Sequence, residues 1–294
     1  MSSRGKNALK GAQKKSSKLG SILPVLGILV SLVLLGWPVV TDWISAWQAS
    51  NTISQMTASA DYSQDPGRLE FLTQAQAYNT ELAGGEVDYD VLEEITGTRE
   101  IWPYDEQLVW RHPVMMAYIE IPRIGIKVPV YHGTAVDQLA AGAGHVQGTS
   151  LPVGGESSNC VLSAHSGMSA QRMFDDIRYL EVGDTFVIWT LNDPYAYRVT
   201  GSDVVLPEEI DKLLVTPGKD QCTLVTCTPY GVNSHRLLVH ALRTEYKPDE
   251  APSVLNGIYY NSRMRPLLIG IAVIMVAGVV LFVWRRRARR ALLG

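Results

Sequence analysis

Short runs of β-favouring residues, each closed by a turn signal, fill residues 114–243 of this 294-residue chain. The runs are rich in Val, Ile, Thr and aromatic residues, and Gly, Pro, Asn or Asp separates them. Inside this region a helical pattern occurs only at 173–180. Many short strands without alternating helices predict a barrel or a sandwich rather than a βαβ layer. The predicted strands are 115–121, 126–132, 159–165, 185–191, 195–205, 221–227 and 235–243.

Two uncharged apolar segments, 19–41 and 266–284, stand outside the β-rich region. Each is long enough to cross a bilayer as a helix, so both are predicted to be transmembrane. A cleaved signal peptide is the alternative for the first segment. Its apolar run is longer than the apolar core of a typical signal peptide. The residues from Trp37 to Val40 also make a poor cleavage site.

Charge predicts the orientation of these segments. Residues 1–18 carry six basic residues and no acidic ones, and 285–294 carry five arginines. Positively charged flanks stay on the cytoplasmic side of a membrane. We therefore expect the basic tails 1–18 and 285–294 to be cytoplasmic and residues 42–265 to lie outside the cell. That outer part holds all 29 acidic residues and 15 of the 26 basic ones, a formal charge near −14. Such a charge argues against nucleic acid as a partner. It fits either a cationic partner or a well-solvated surface.

The residues between the first apolar segment and the β-rich region form a predicted extension, 42–113. Residues 43–83 read as helical, with an interruption near Asp65-Pro66-Gly67. Residues 86–113 have no clean period and are rich in acidic and aromatic side chains.

Cys227 and Arg236 form the most informative pair in the chain. Cys227 ends a β-run and enters a Pro-Tyr-Gly turn, and Arg236 follows nine residues later on the next run. A hairpin of that length returns a guanidinium beside a thiol, where it can stabilise a developing oxyanion. An arginine on an alternating strand that points to solvent is the plainer interpretation of Arg236.

The strand period separates Cys227 from the other two cysteines. Cys222 points to the opposite face from Cys227, and Cys160 lies opposite His165 in the same way. An odd number of cysteines leaves at least one free thiol outside the cell, which is a candidate nucleophile. Cys160 and Cys222 are predicted to be neighbours as two buried thiols, with a disulfide as the alternative.

His165 is the best partner for the Cys227 thiol, which needs a base or a cation to ionise at neutral pH. Like Cys227, it ends a β-run and precedes a polar turn that contains glycine, so both side chains are expected at one rim. His132 and His145 lie in turn-like contexts and are expected to make structural hydrogen bonds. The spacing of Cys and His residues gives no metal-ligand pattern.

The segment TLVTCTPYGVNSHR, together with LSAH at 162–165, resembles the TLxTC…R and LSGHR signatures of the sortases. The CTPYGVN form is similar to the class C, pilus-building branch. The resemblance covers about 115–243 and implies a mainly β fold, a closed barrel of seven or eight strands with short helices. We therefore expect a catalytic barrel at 114–245 and a linker at 246–265. The resemblance also implies that His165, Cys227 and Arg236 are catalytic and that no cofactor is needed.

For function, the resemblance implies a cysteine transpeptidase anchored in the cell membrane. It would cleave an LPxTG-like sorting signal between Thr and Gly and join it to a lysine of a pilin subunit. The expected partners are thus pilin subunits, as donor and as acceptor. Three alternatives stay open: a housekeeping enzyme that uses a cell-wall precursor, a peptidase that uses water, and a binding domain without catalysis.

One departure from the class C pattern concerns the lid that commonly covers the active site. Its Asp-Pro-aromatic motif is missing between 84 and 113. We predict that 86–105 forms a modified lid, in which carboxylates and rings take the place of that motif; an ordinary surface loop is the alternative. The residues that would serve are Asp88, Asp90, Trp102, Tyr104 and Asp105.

Overall fold

The computed structural model describes residues 19–57, 66–110, 115–167, 172–248 and 264–291. Its helices are α1 (Leu19–Thr57), α2 (Pro66–Leu82), α3 (Tyr89–Thr96), α4 (Val136–Ala141) and α5 (Met264–Ala291). Its strands are β1 (Met115–Ile121), β2 (Ile126–His132), β3 (Ala143–His145), β4 (Ser158–Ser163), β5 (Thr185–Thr190), β6 (Asp193–Val205), β7 (Asp220–Thr228) and β8 (His235–Arg243).

These eight strands of the described residues form a closed barrel in the order β1-β2-β3-β4-β7-β8-β6-β5, with β5 paired to β1. The predicted closed barrel of seven or eight strands is therefore confirmed. Its interior is filled by alternate side chains of each strand, among them the fully buried Ile119, Leu162, Phe186, Tyr197 and Leu224. Burial of each such side chain contributes about 1.5–3 kcal/mol to folding.

Two directions within the barrel position the functional residues. Strand β3 is parallel to β2, and β4 is antiparallel to β3. The end where β2 stops at His132 and β4 starts at Ser158 is called the lower end here. Strand β7 is parallel to β4, so both strands stop at the opposite, upper end.

Within the β-rich region one short strand and one short α-helix were not predicted, and one predicted helix differs; before that region, helix α3 was not predicted either. Strand β3 and helix α4 lie in the segment between β2 and β4, which the sequence pattern left unassigned. Residues 173–180 were expected to be helical, yet they form turns and a 3₁₀ helix at Ile177–Tyr179. The backbone N–H of Phe174 donates to the carbonyl of His165 (3.1 Å), outside the segment, which interrupts a helical bonding pattern there.

The extension before β1 packs at the lower end of the barrel. The Asn79 side chain on α2 accepts from the Leu151 N–H (2.7 Å) and donates to the Leu151 carbonyl (3.0 Å). Arg68 donates to the carbonyl of Leu191 (2.9 Å) in the β5–β6 turn. Within the described residues, helices α1 and α2 match the predicted helical region. Pro66 and Gly67 of the predicted interruption are the first residues of α2, and the rest of it falls in 58–65, outside the described residues.

The chain divides into two compact units, one of residues 41–265 and one formed by the chain up to Val40 and from Pro266 onward. Helices α1 and α5 cover both segments that were expected to span a membrane. Among the described residues, however, neither helix offers a stretch long and apolar enough to cross a bilayer. The structure therefore does not support the predicted spans at 19–41 and 266–284.

Candidate active site

Strands β4 and β7 bring His165 and Cys227 to the upper end of the barrel. The two strands are parallel and in register, with Ser163 opposite Val225. The N–H of Ala164 donates to the carbonyl of Val225 (3.1 Å), which extends the pairing one residue beyond β4. His165 and Cys227 thus follow the last paired residues of two neighbouring strands, at the one rim where the sequence pattern placed them.

Arg236 lies directly opposite Cys227 in the antiparallel β7–β8 pair. Side chains of residues paired in this way stand about 4.5–5.5 Å apart at Cβ on one face of the sheet. The Nη1 of Arg236 donates to the carbonyls of Asn233 (3.1 Å) and His235 (3.0 Å). These bonds hold the guanidinium against the β7–β8 turn, beside the half-buried thiol.

A buried apolar cluster lies next to this site on the outer face of the barrel. Val225 shares the face of Cys227, and Val161 shares the face of His165, because alternate residues of a strand point the same way. Both belong to an outer apolar cluster, defined as Val161, Val205, Val225 and Leu238. Val146 and Leu213 pack against it. All four members of the cluster are buried, so it packs beneath the rim and supports the ends of β4 and β7.

Cys160 and Cys222 lie inside the barrel, on the opposite face from Cys227. They are register partners on β4 and β7, are buried, and are free thiols rather than a disulfide. The prediction of two buried thiols is therefore confirmed. Burial raises the pKa of Cys222 far above its usual value, and the neighbouring Cys160 raises it further. For Cys160, burial raises the pKa, but hydrogen bonds with Cys222 and His145 outweigh it and leave the pKa lowered.

The residues predicted to form a lid lie in other settings. Asp88 caps α3 by accepting from the N–H groups of Asp90 and Val91 (3.1 Å each), and Asp90 pairs with Arg99 (2.9 Å). The Trp102 ring meets Phe71 edge-on, with centroids 4.9 Å apart. Asp105 is exposed in the adjoining 3₁₀ helix.

Tyr104 departs furthest from a lid position. It is buried in the barrel core, with its hydroxyl 2.9 Å from Nδ1 of His145. His132, at the lower end, contacts the carbonyl of Gln107 through Nε2 (2.7 Å). The described contacts of this segment thus lead to α2 and to the lower end, away from Cys227, and they give the lid prediction no support.

Two hydroxyl residues at the site were missed from the sequence. Thr226 donates from Oγ1 to the carbonyl of Ala164 (2.8 Å), and Ser166 donates from Oγ to the carbonyl of Cys227 (2.6 Å). Each stands next to a candidate catalytic residue, which was the one available signal. Within the ranges that the structure describes, no group of three or more His, Cys, Asp or Glu side chains can hold a metal ion.

Comparison with known proteins identifies the family of the barrel that carries these residues. The sequence profile of the sortase domain matches residues 119–244. The solved structure of sortase C from Clostridium perfringens with its C-terminal cell wall sorting motif is 38% identical, with a TM-score of 0.54. The match covers 68% of this chain and 98% of that one. The chain belongs to the sortase family.

Other relatives of this sortase place it near the class C branch. Sortase C1 from Streptococcus agalactiae is 35% identical with a TM-score of 0.56, over 66% of this chain and 97% of that one. Among curated proteins, Sortase A of Streptococcus agalactiae is 31% identical over 42% of this chain and 50% of its own length. Sortase A of Bacillus anthracis is also 31% identical, over 41% of this chain and 56% of its own length. The chain therefore spans about half the length of the curated relatives it matches.

Proposed function

We propose that this sortase is a cysteine transpeptidase that joins pilin subunits. The observation that carries the proposal is the direct pairing of Cys227 with Arg236 across β7 and β8, beside the end of β4 that leads to His165. The similarity to structures named sortase C supports the class C assignment.

The proposed reaction begins at a Thr–Gly bond of an LPxTG-like sorting signal. The Cys227 thiolate attacks the Thr carbonyl carbon, and Arg236 donates to the oxyanion that forms. The C–N bond then breaks, and the imidazolium of His165 gives its proton to the leaving Gly amine. The product is a thioester between Cys227 and the Thr acyl group.

The second half of the reaction consumes the thioester. A lysine amine of a second pilin subunit attacks the same carbonyl carbon, an amide bond forms, and the Cys227 thiolate leaves. His165 takes the proton that the attacking amine loses, which restores the starting state.

A second acceptor has one observation in its favour. Two of the curated relatives that match this chain are named Sortase A. An amine of a cell-wall precursor is therefore the alternative acceptor, and water is the acceptor of a peptidase.

The test incubates the purified full chain with a peptide that carries LPxTG and with each acceptor in turn. We expect an amide-linked product with a lysine-bearing pilin domain, identified by mass spectrometry. Cys227→Ala should form none, and Cys222→Ala should retain product formation, since its thiol lies inside the barrel. A product only with a precursor amine would assign the alternative, and free acid alone would indicate a peptidase.

We further propose that the barrel lies outside the cell on a membrane anchor. The support is the charge bias of the sequence around 19–41 and 266–284. A membrane-impermeant maleimide applied to whole cells should label the wild-type chain but not Cys227→Ala, because Cys160 and Cys222 are buried. Labelling that appears only after lysis would contradict this location.

A further inference from the structure

We propose that Ser166 is a positioning residue that fixes His165 relative to Cys227. This inference rests on the proposed function, because it assumes that these two side chains react together. Ser166 follows His165 directly and is 9% exposed. Its hydroxyl donates to the main-chain carbonyl of Cys227 at 2.6 Å. One short hydrogen bond therefore joins the backbone of one reactive residue to the neighbour of the other.

The position of this bond explains why a hydroxyl is needed there. Strand β4 ends at Ser163, and the backbone pairing with β7 ends with the bond from Ala164 to Val225. Thr226 adds a side-chain bond to the carbonyl of Ala164 (2.8 Å). Beyond that point the chain after β4 leaves the sheet, while β7 continues to Thr228 in its pairing with β8. The Ser166 hydroxyl connects the segment after β4 to β7 beyond that last pairing, at the level of His165 and Cys227.

The Ser166 backbone is itself held on both sides. The carbonyl of His165 accepts from the N–H of Phe174 (3.1 Å). On the other side, the N–H of Gly167 donates to the carboxylate of Asp175 (2.7 Å), which is 3% exposed. Because the backbone that carries the Ser166 hydroxyl is itself held, the hydrogen bond can restrict the position of the Cys227 carbonyl; a hydroxyl on a mobile loop could not do so.

The segment after His165 also approaches the β7–β8 loop at a second place. Gly167 has a φ of +84°, and a Cβ on it would lie 3.8 Å from the ring of Tyr230 in the β7–β8 loop. The Arg178 guanidinium stands 5.9 Å from the centroid of the same ring. The close approach at Gly167 and the bond from Ser166 together resist sliding of the segment after His165 along the end of β7.

Loss of the hydroxyl should lower turnover without weakening binding of the peptide. The Ser166 hydroxyl is engaged by the carbonyl of Cys227 and is not offered to a ligand, so KM should stay within about twofold. The expected fall in kcat is about tenfold, the rate equivalent of one neutral hydrogen bond. Alkylation of Cys227 by iodoacetamide should slow in parallel, because it needs the same thiolate but no peptide.

The experiment compares three substitutions in the full chain with the wild type. Ser166→Ala removes the hydroxyl, while Ser166→Thr and Ser166→Val have the same shape and differ only in that group. We expect Ala and Val to lose about tenfold in kcat, and Thr to retain it. Ser202→Ala, an exposed serine on β6, is the control and should match the wild type.

Each outcome decides one question. Equal kcat for Ser166→Thr and Ser166→Val would overturn the inference, as would wild-type kcat in a folded Ser166→Ala. If Ser166→Ala does not fold, the Thr and Val pair carries the comparison. If the wild-type chain forms no product with any acceptor, the proposed function fails. The alkylation rates of the same variants would still test Ser166.

Discussion

At the scale of single residues, His145 joins several segments of the barrel interior through hydrogen bonds. Its Nε2 lies 2.8 Å from the carbonyl of Ser150, which can only accept, so Nε2 carries the proton and Nδ1 accepts. The Tyr104 hydroxyl lies 2.9 Å from that Nδ1 and also accepts from the Gly133 N–H (2.9 Å). Tyr104 thus joins the chain before β1 to the end of β2 and to β3. Burial raises the pKa of Tyr104 far above its usual value, so the phenol stays protonated at neutral pH.

Removal of this phenol oxygen should be costly. Tyr104→Phe removes the hydroxyl that now bonds both the Gly133 N–H and Nδ1 of His145, and leaves both groups without this partner. Each buried group of this kind costs about 1–3 kcal/mol, so we expect a loss of at least 1 kcal/mol in the free energy of unfolding. Denaturation in urea measures it, with Tyr89→Phe on the exposed face of α3 as control. Equal midpoints for the two variants would contradict the role of the hydroxyl.

The residues of the site differ in how far the sequence reveals them. The pairing of Cys227 with Arg236 follows from a short hairpin, and the separation of Cys227 from Cys222 follows from the two-residue period of a strand. Tyr104 could not be placed in this way, because its segment has no period that distinguishes a buried ring from an exposed one. Ser166 and Thr226 act through hydrogen bonds to backbone groups 61 and 62 residues away, which no local pattern encodes.

At the scale of elements, the long strands were predictable and the short elements were not. Strands β1, β2 and β8 match their predicted bounds because each is a full run of β-favouring residues between turn signals. Strand β3 is only Ala-Gly-His, and it is a strand because β2 and β4 pair with it on both sides. Helix α3 has a capping signal in Asp88 and Gly97, but its acidic residues concealed the helical period.

The docking of α2 on the barrel depends on one amide. Asn79 is 5% exposed and uses both ends of its amide on the chain between β3 and β4, where its Nδ2 also approaches the Gly154 carbonyl (3.3 Å). Asn79→Ala should leave the Leu151 N–H and carbonyl without these partners and cost about 2–4 kcal/mol in stability.

Chemical denaturation and limited proteolysis between α2 and β1 measure this effect. Gln76→Ala removes an exposed amide from the same helix and is the matched control. Faster cleavage in Asn79→Ala alone is the expected result. Identical cleavage of the two variants would mean that α2 is held by its apolar contacts instead.

At the scale of the whole molecule, two half-buried histidines predict a loss of stability in mild acid. Burial is the main cause that lowers the pKa of His132 and of His240 below the ordinary 6.5. Between the lowered values and 6.5 the unfolded chain binds more protons than the folded one, so stability falls as pH falls through that window. Above 6.5 this contribution is fully present.

Thermal unfolding of the full chain between pH 7.5 and pH 5.5 tests this expectation. The melting temperature should fall across the range, and His132→Gln should make the decline shallower, since Gln keeps a donor toward the Gln107 carbonyl. Parallel curves for wild type and His132→Gln would contradict the assignment.

The parallel pairing of β4 with β7 has a consequence for when Cys227 becomes distinct from the other two thiols. Between these strands lies the β5–β6 hairpin, which pairs with β1 on one side and, once β7 and β8 have followed, with β8 on the other. Contacts between residues so distant in sequence form late in folding, because a long loop must close first. An unfolded chain therefore exposes three similar thiols. Only the finished barrel buries Cys160 and Cys222 and leaves Cys227 partly exposed, so the proposed nucleophile becomes distinct from the other two thiols only when the fold is complete.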